Sequence, residues 1–192
     1  MILTEQESIF CQAIAMTSLL VELHNTDFLN SDYCKNNISF EGNNNNIKII
    51  LKESGLGNPA TMQMFLYILL VMPKEMLSCV DESTINTWAK ELKYSILSCN
   101  PDVTTTYPKE NQNDLTSIDY YRHIRNAVSH SKCVYKNENN RAYVTFRDEI
   151  PKSKDQYCEI KMLTSDVGRV LTELTKQMMK YLNDRWNADS PS

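Results

Sequence analysis

Glycine and proline are scarce in this chain, four and six in 192 residues. With Leu, Met, Lys and Glu abundant, that scarcity leans the chain towards helix, since Gly and Pro are the strongest helix breakers. An excess of basic charge is missing too: the net charge is −4 and the pI about 5.4. A generic basic nucleic-acid coat is thereby disfavoured, because such proteins carry a positive field; a local basic cleft on an acidic body is not. No long apolar run is present. The longest, "MQMFLYILLVM" (62–72), contains Gln63 and stops at Pro73, too short for a bilayer and suited to a buried helix, so no membrane partner is expected. The N-terminus "MILTEQESIF" lacks the basic-then-apolar layout of a secretion signal, and a cytoplasmic location is expected. There is no Gly-rich phosphate loop, no His-Glu-x-x-His, no Gly-x-Ser-x-Gly and no Cys-x-x-Cys. The six cysteines (11, 34, 79, 99, 133 and 158) are too sparse for a disulfide framework and read as reduced, small core residues. With only three histidines besides, neither a dedicated metal site nor a cofactor is expected.

What is present fits one domain over 1–192 with a sizeable core. Thr4 and Glu7 have the spacing of a capping box, and Ile9, Phe10, Ala13, Met16, Leu20 and Leu23 follow at helical intervals, a face expected to bury. Residues 24–57 read as a long Asn-rich loop region, with "NNNN" at 43–46; within it "IKIILKES" (47–54) suits a strand or a short helix, ended either way by "GLGNP". Asn58 and Pro59 suit the start of the next helix, which holds the apolar run and belongs at the centre. Ile85, Trp88, Ala89, Leu92 and Ile96 mark one side of another helix, and 100–114 reads as a linker. After Cys133, "CVYK", "NENN" and "RAYVTFRD" read as strand, turn, strand, with "YCEIKML" as a candidate third strand. Val167, Val170, Leu171, Leu174, Met178, Tyr181 and Leu182 stripe a last helix, and 187–192 reads as a disordered tail. The expected fold is mainly α: an antiparallel helical bundle with a small β-hairpin or three-stranded β insertion before the last helix.

Chemistry concentrates in "YYRHIRNAVSHSKC" (120–133), which holds two of the three histidines and two arginines. On a helix Ile118, Tyr121, Ile124 and Val128 share an apolar face, while Arg122, Asn126 and His130, four apart, form a stripe roughly opposite. Arg125 lies beside the apolar face, with Ser129 near both arginines. His takes and returns a proton near neutral pH, Arg matches phosphate oxygens with a permanent charge, and Asn can orient either. Such a set suffices for metal-free RNA cleavage: a histidine deprotonates the ribose 2′-OH, which attacks the adjacent phosphorus, and arginine stabilises the charge that develops. Arg125 and His130 differ by about 140° around an ideal helix. They address one atom only if the helix ends near His130 or two copies of it meet. The same stripe is also what the wet side of a helix looks like; His123 reads as a surface or packing residue, and Arg122 equally as surface or phosphate contact. Asp114, Asp119, Asp148 and Glu149 are expected to be mostly solvated.

"RNAVSH" (Arg125–His130) resembles the signature of the HEPN superfamily, the higher eukaryotes and prokaryotes nucleotide-binding domains: Arg, four to six residues, then His, with a polar residue, here Asn126, directly after the Arg. The likeness in detail covers about 115–185, including the strand-rich stretch and last helix of some small bacterial members. It implies a dimerising α-bundle and a metal-independent endoribonuclease. Arg125 and His130 would be the catalytic pair, Asn126 their polar support, and Arg122, Lys132 and Ser129 RNA or phosphate contacts. The implied partners are an RNA substrate, a second copy with the active cleft at the interface, and an antitoxin or regulatory protein, in a toxin or phage-defence setting. Members controlled by adenylylation often carry a tyrosine two residues after the motif His. Lys132 stands there, with Tyr135 the nearest tyrosine downstream, which argues against that control. The alternative the resemblance leaves open is a catalytically silent module that binds a nucleotide, RNA or protein and dimerises.

Overall fold

The structure is a computed structural model that describes residues 4–39, 45–76, 81–151 and 153–187. Helix α1 (Glu5–Asn25) opens with the expected capping box: the Thr4 hydroxyl accepts from the Glu7 amide at 3.2 Å, and the Glu7 carboxylate accepts from the Thr4 amide at 2.9 Å. Its buried stripe is Glu7, Phe10, Ile14 and Thr17 rather than the wider face expected. Ile9 and Met16 stay 48% and 56% exposed, because α1 has neighbours on one side only.

The segment expected to be a loop is helical over much of its described length. A 3-10 turn (Phe28–Asn30) leads to α2 (Asp32–Asn37), capped by Ser31, and α3 (Asn45–Ser54) covers the ambiguous "IKIILKES". Part of its Ser and Asn content serves as caps and helix surface instead of loop. Gly55, at φ +70°, then ends α3, its N–H donating to the Leu51 carbonyl.

Helix α4 (Pro59–Leu66) starts as expected, the Asn58 side chain accepting from the Thr61 amide at 3.0 Å with Pro59 in the first turn. A π-helical turn (Tyr67–Val71) continues it into α5 (Met72–Met76). The helix that holds the apolar run therefore continues past Pro73. Proline has no N–H to give and crowds the carbonyl four residues back, and the widened turn just before it relieves both demands. Leu66, Ile68, Leu69, Leu70 and Val71 are all buried, which makes this the central helix. Helix α6 (Glu82–Leu97), capped by Asp81, buries Trp88, Leu92 and Ile96.

Four strands form one antiparallel sheet in the order β1-β4-β3-β2: β1 (Asp102–Thr105), β2 (Cys133–Glu138), β3 (Arg141–Ile150) and β4 (Ser153–Leu163). The strand insertion before the last helix is as expected, but the sheet has one strand more. β1 comes from the presumed linker, where "DVTTT" is rich in β-branched residues, and it pairs with β4 through Val103 and Ile160. β2 and β3 join through Asn139 and Asn140, both in the left-handed region that a tight hairpin turn requires. One face of the sheet is buried, with the register pairs Val144/Met162, Phe146/Ile160 and Asp148/Cys158. Helices α7 (Tyr120–Ser129) and α8 (Thr164–Asn187) contact the sheet, and α6 packs on both. The chain is thus mostly helical, with a single core shared by helices and sheet.

Among the described residues five cysteines are free thiols, two of them (Cys34 and Cys158) buried; Cys79 and residues 188–192 of the expected tail lie outside the described residues, and Asn187 closes the last helix. No single described helix is long and apolar enough to cross a membrane.

Candidate functional site

Helix α7 is held from three directions. Asp119 caps its start by accepting from the Arg122 amide at 3.1 Å. The expected apolar face is buried, with Ile118, Tyr121, Ile124 and Val128 each less than a tenth exposed. A second stripe of Tyr120, His123 and Ala127 is buried as well, so α7 is wrapped through a wider arc than its apolar residues alone predict. Arg122, Arg125 and Asn126 are half-buried, while Ser129 and His130 are exposed.

The end of the helix is specified by a Schellman motif. The Lys132 N–H donates to the Ala127 carbonyl at 2.7 Å and the Ser131 N–H to the Val128 carbonyl at 3.2 Å. Ser131 takes the left-handed place usually given to glycine, with φ +54°. His130 is therefore the C-cap, and the helix ends where one of the two conditions set by the sequence requires it to end.

His123 is fully buried, not at the surface. Its Nδ1 lies 2.7 Å from Asp148 Oδ2 and its Nε2 2.8 Å from Glu110 Oε1. Asp148 ends the buried row of β3, so its expected solvation is overturned: it stands 7% exposed. Glu110 follows β1 and is steadied by the Thr105 hydroxyl at 2.9 Å and the Asp119 amide at 3.3 Å. An ionised carboxylate only accepts, so an imidazole between two of them must donate from both nitrogens and carry a charge. Burial opposes that charge, but the hydrogen bonds to Asp148, Cys158 and Glu110 outweigh it and push the His123 pKa up to about 10. For Asp148, burial pulls upward, yet the His123 imidazolium, Asn126 and Arg122 hold the carboxyl below its ordinary value. The Tyr107 ring packs against the His123 ring at 4.9 Å between centroids, and the Arg122 guanidinium lies 4.7 Å from the centre of the Tyr107 ring.

The network continues outward from Asp148. Asn126 Nδ2 stands 3.3 Å from both Asp148 oxygens, and Asn126 Oδ1 accepts from Arg125 Nη2 at 2.8 Å. Of the six site residues expected from sequence, Arg125 and Asn126 are thus joined directly. His130 sits at the exposed helix end with no side-chain hydrogen bond among the described residues. Lys132 is committed to an ion pair with Glu149 at 3.1 Å. Arg122 rests on Tyr107, and Ser129 faces outward. Tyr135 is half-buried, donates to Gln63 Oε1 at 3.1 Å, and has its pKa raised by burial.

Sequence reasoning missed His123, Asp148 and Glu110. The spacing of His123 and Asn126, one helical turn apart, was a signal for the first; nothing in the sequence joins Glu110 or Asp148 to them. Glu110, His123 and Cys158 are the one described group with metal-ligand chemistry, their donor atoms lying within 4.8 Å of one another. The 2.8 Å between the Glu110 oxygen and the His123 nitrogen is a hydrogen bond. Two donors on one tetrahedral zinc, each at about 2.0–2.2 Å, would stand roughly 3.4 Å apart. The cluster as arranged is an ion-pair network. The Tyr120 hydroxyl is also buried, without a hydrogen-bond partner among the described residues; burial, with Cys158 and Glu110 adding, raises its pKa to about 12. A separate groove of about 570 Å³ is lined from α1, α4 and α8 and includes no residue of α7.

The penultimate helix of this mostly helical, strand-bearing fold carries Arg125, Asn126 and a terminal His130, in keeping with the HEPN resemblance of the sequence. The family model described as HEPN pEK499 p136 matches residues 5–185, and the chain belongs to that family. No curated protein and no solved structure matches it.

Proposed function

We propose that the chain is a metal-independent endoribonuclease of the HEPN type. The observation that carries this reading is the pairing on one helix of an arginine held by an amide with an exposed, uncommitted histidine at the helix end. His130 takes the proton of a ribose 2′-OH. The oxygen attacks the adjacent phosphorus, Arg125 balances the growing charge on the phosphoryl oxygens, and the bond to the 5′-oxygen breaks as that oxygen is protonated. A 2′,3′-cyclic phosphate and a 5′-hydroxyl result. One protomer supplies one such histidine, so base and acid come from two copies across a two-fold cleft. Ser129 lies beside that cleft, and Arg122 gives longer-range positive charge. A cytoplasmic toxin or phage-defence effector, held in check by an antitoxin or regulatory protein, is the setting that suits such an activity.

The test is incubation of purified protein with total RNA in EDTA. The expected result is cleavage with cyclic-phosphate ends, abolished by His130→Ala without a change in melting temperature. Equal rates for the variant and the wild type would remove the catalytic assignment.

A second reading is a catalytically silent binding module. It draws on the ion pair that occupies Lys132 and on the stacking of Arg122 over Tyr107, which leave fewer free cations beside His130. It predicts no cleavage but saturable RNA or nucleotide binding that Arg125→Ala removes.

A further inference from the structure

We infer that Asp148, anchored by His123 and Glu110, is a positioning residue that sets the orientation of the Arg125 guanidinium through the side-chain amide of Asn126. The inference rests on the nuclease reading for its functional meaning, though the geometry it describes does not.

The argument is one of donors and acceptors. A side-chain amide has two ends, one donating and one accepting, and the two orientations of Asn126 differ by a half-turn about its last bond. Arg125 is always charged and only donates. To hold it, Asn126 must turn its oxygen outward and its NH₂ inward. The inner partner must then accept, and an ionised carboxylate does nothing else. Asp148 meets that need, with both oxygens 3.3 Å from Asn126 Nδ2. A protonated or amide group at position 148 offers a donor as well, which permits the Asn126 amide to flip. A flipped amide presents NH₂ to a guanidinium, and the 2.8 Å bond to Arg125 is lost.

Keeping a carboxylate ionised at a buried site requires a compensating cation. His123 supplies it, itself clamped on its far side by Glu110 at 2.8 Å. Glu110 is held in turn by the Thr105 hydroxyl and the Asp119 amide, so the series begins at the end of β1 and the cap of α7 and ends at a half-buried arginine. Each member has a defined polarity, and reversing any one of them breaks its bond to the next group outward. Arg125 would otherwise be a long side chain with several accessible rotamers, whose only other described contact is with the Tyr121 ring at 5.9 Å.

The polarity argument prescribes a swap. Asp148→Asn alone frees Asn126 to flip. Asn126→Asp alone sets two carboxylates against each other. Together, the amide at 148 accepts from His123 with its oxygen and donates with its NH₂ to a carboxylate at 126, which again accepts from Arg125. The experiment compares wild type, both single variants and the double variant by two readouts: RNA cleavage kinetics, and NMR of the rotation of the Arg125 guanidinium about its Nε–Cζ bond. Each single variant is expected to lose about 10- to 100-fold in kcat with KM within about two-fold, the signature of misorientation rather than lost binding. Guanidinium rotation speeds up in both. The double variant recovers most of the rate and the slow rotation. If Asp148→Asn does not fold, the comparison of Asn126→Asp with the double variant still decides.

Wild-type kinetics and slow rotation in the single variants would overturn the inference while leaving the nuclease reading intact. A double variant no better than the worse single would overturn it too. Absence of cleavage by the wild type would sink the nuclease reading alone. The rotation measurement would then still judge the positioning series.

Discussion

His123 and Asp148 form a buried ion pair, 2.7 Å between Nδ1 and Oδ2, that fastens helix α7 to strand β3. Neither side chain is more than a tenth exposed, and the partners lie 25 residues apart in sequence. A buried pair is costly to break because the remaining charge is left without compensation.

Stability should fall with rising pH above neutrality. An unfolded chain loses the His123 proton near pH 6.5, whereas the fold keeps it to about pH 10. Between those values the folded state holds a proton that the unfolded state lacks. The contribution is complete below about pH 6.5 and is lost as pH climbs through 10, on the order of a few kcal/mol in total. Asp148 works in the opposite sense. Its carboxyl is held below the ordinary value, so its contribution is present above about pH 4 and fades as pH drops through the lowered folded value. Chemical denaturation from pH 4 to 10 should therefore show greatest stability between about pH 4 and 6.5. In His123→Gln, destabilised by roughly 3 kcal/mol, the decline above pH 6.5 should flatten; an unchanged slope in that variant would place the titrating group elsewhere.

Tyr120→Phe should cost nothing and is expected to stabilise by up to about 1 kcal/mol. It removes a buried hydroxyl that has no hydrogen-bond partner among the described residues, while keeping the ring. A urea midpoint lower than wild type would mean that the hydroxyl is satisfied by something that fills the space beside Glu110 and Cys158.

Ser131→Gly should stabilise by about 0.5–1 kcal/mol, because Ser131 holds a left-handed φ of +54° that only glycine adopts freely. The effect should be seen in the melting temperature, with RNA cleavage unaltered. A loss of stability would indicate that the serine side chain contributes more than the backbone strain costs.

Arg125→Lys should retain the fold yet lose about 100-fold or more in cleavage rate. A lysine keeps the charge but not the planar fork that meets Asn126 and a phosphate together. Near wild-type turnover would show that charge alone is enough at this position.

Much of the fold was legible locally. The capping box at Thr4, the Asn58–Pro59 start and the hairpin turn at Asn139 and Asn140 are short-range devices, each complete within a few residues. What was misread depended on distant partners. β1 resembles a linker until β4 pairs with it, and the Ile9/Met16 side of α1 is apolar yet has nothing in the described fold to bury it. The π turn ahead of Pro73 has no mark in the sequence.

The site divides in the same way. Arg125, Asn126 and His130 lie within six residues on one helix, and a helix fixes their relative angles through its own backbone hydrogen bonds, so local sequence determined the direction in which each side chain leaves it. Where the helix stops was also set locally, by the conformation of Ser131. The long-range partners of His123 and Asn126 were decided by tertiary structure alone. Glu110 reaches His123 from the loop after an edge strand, and Asp148 reaches it from β3. Ion pairs of this kind form only when packing excludes water from groups far apart in sequence, and no periodicity along the chain records that.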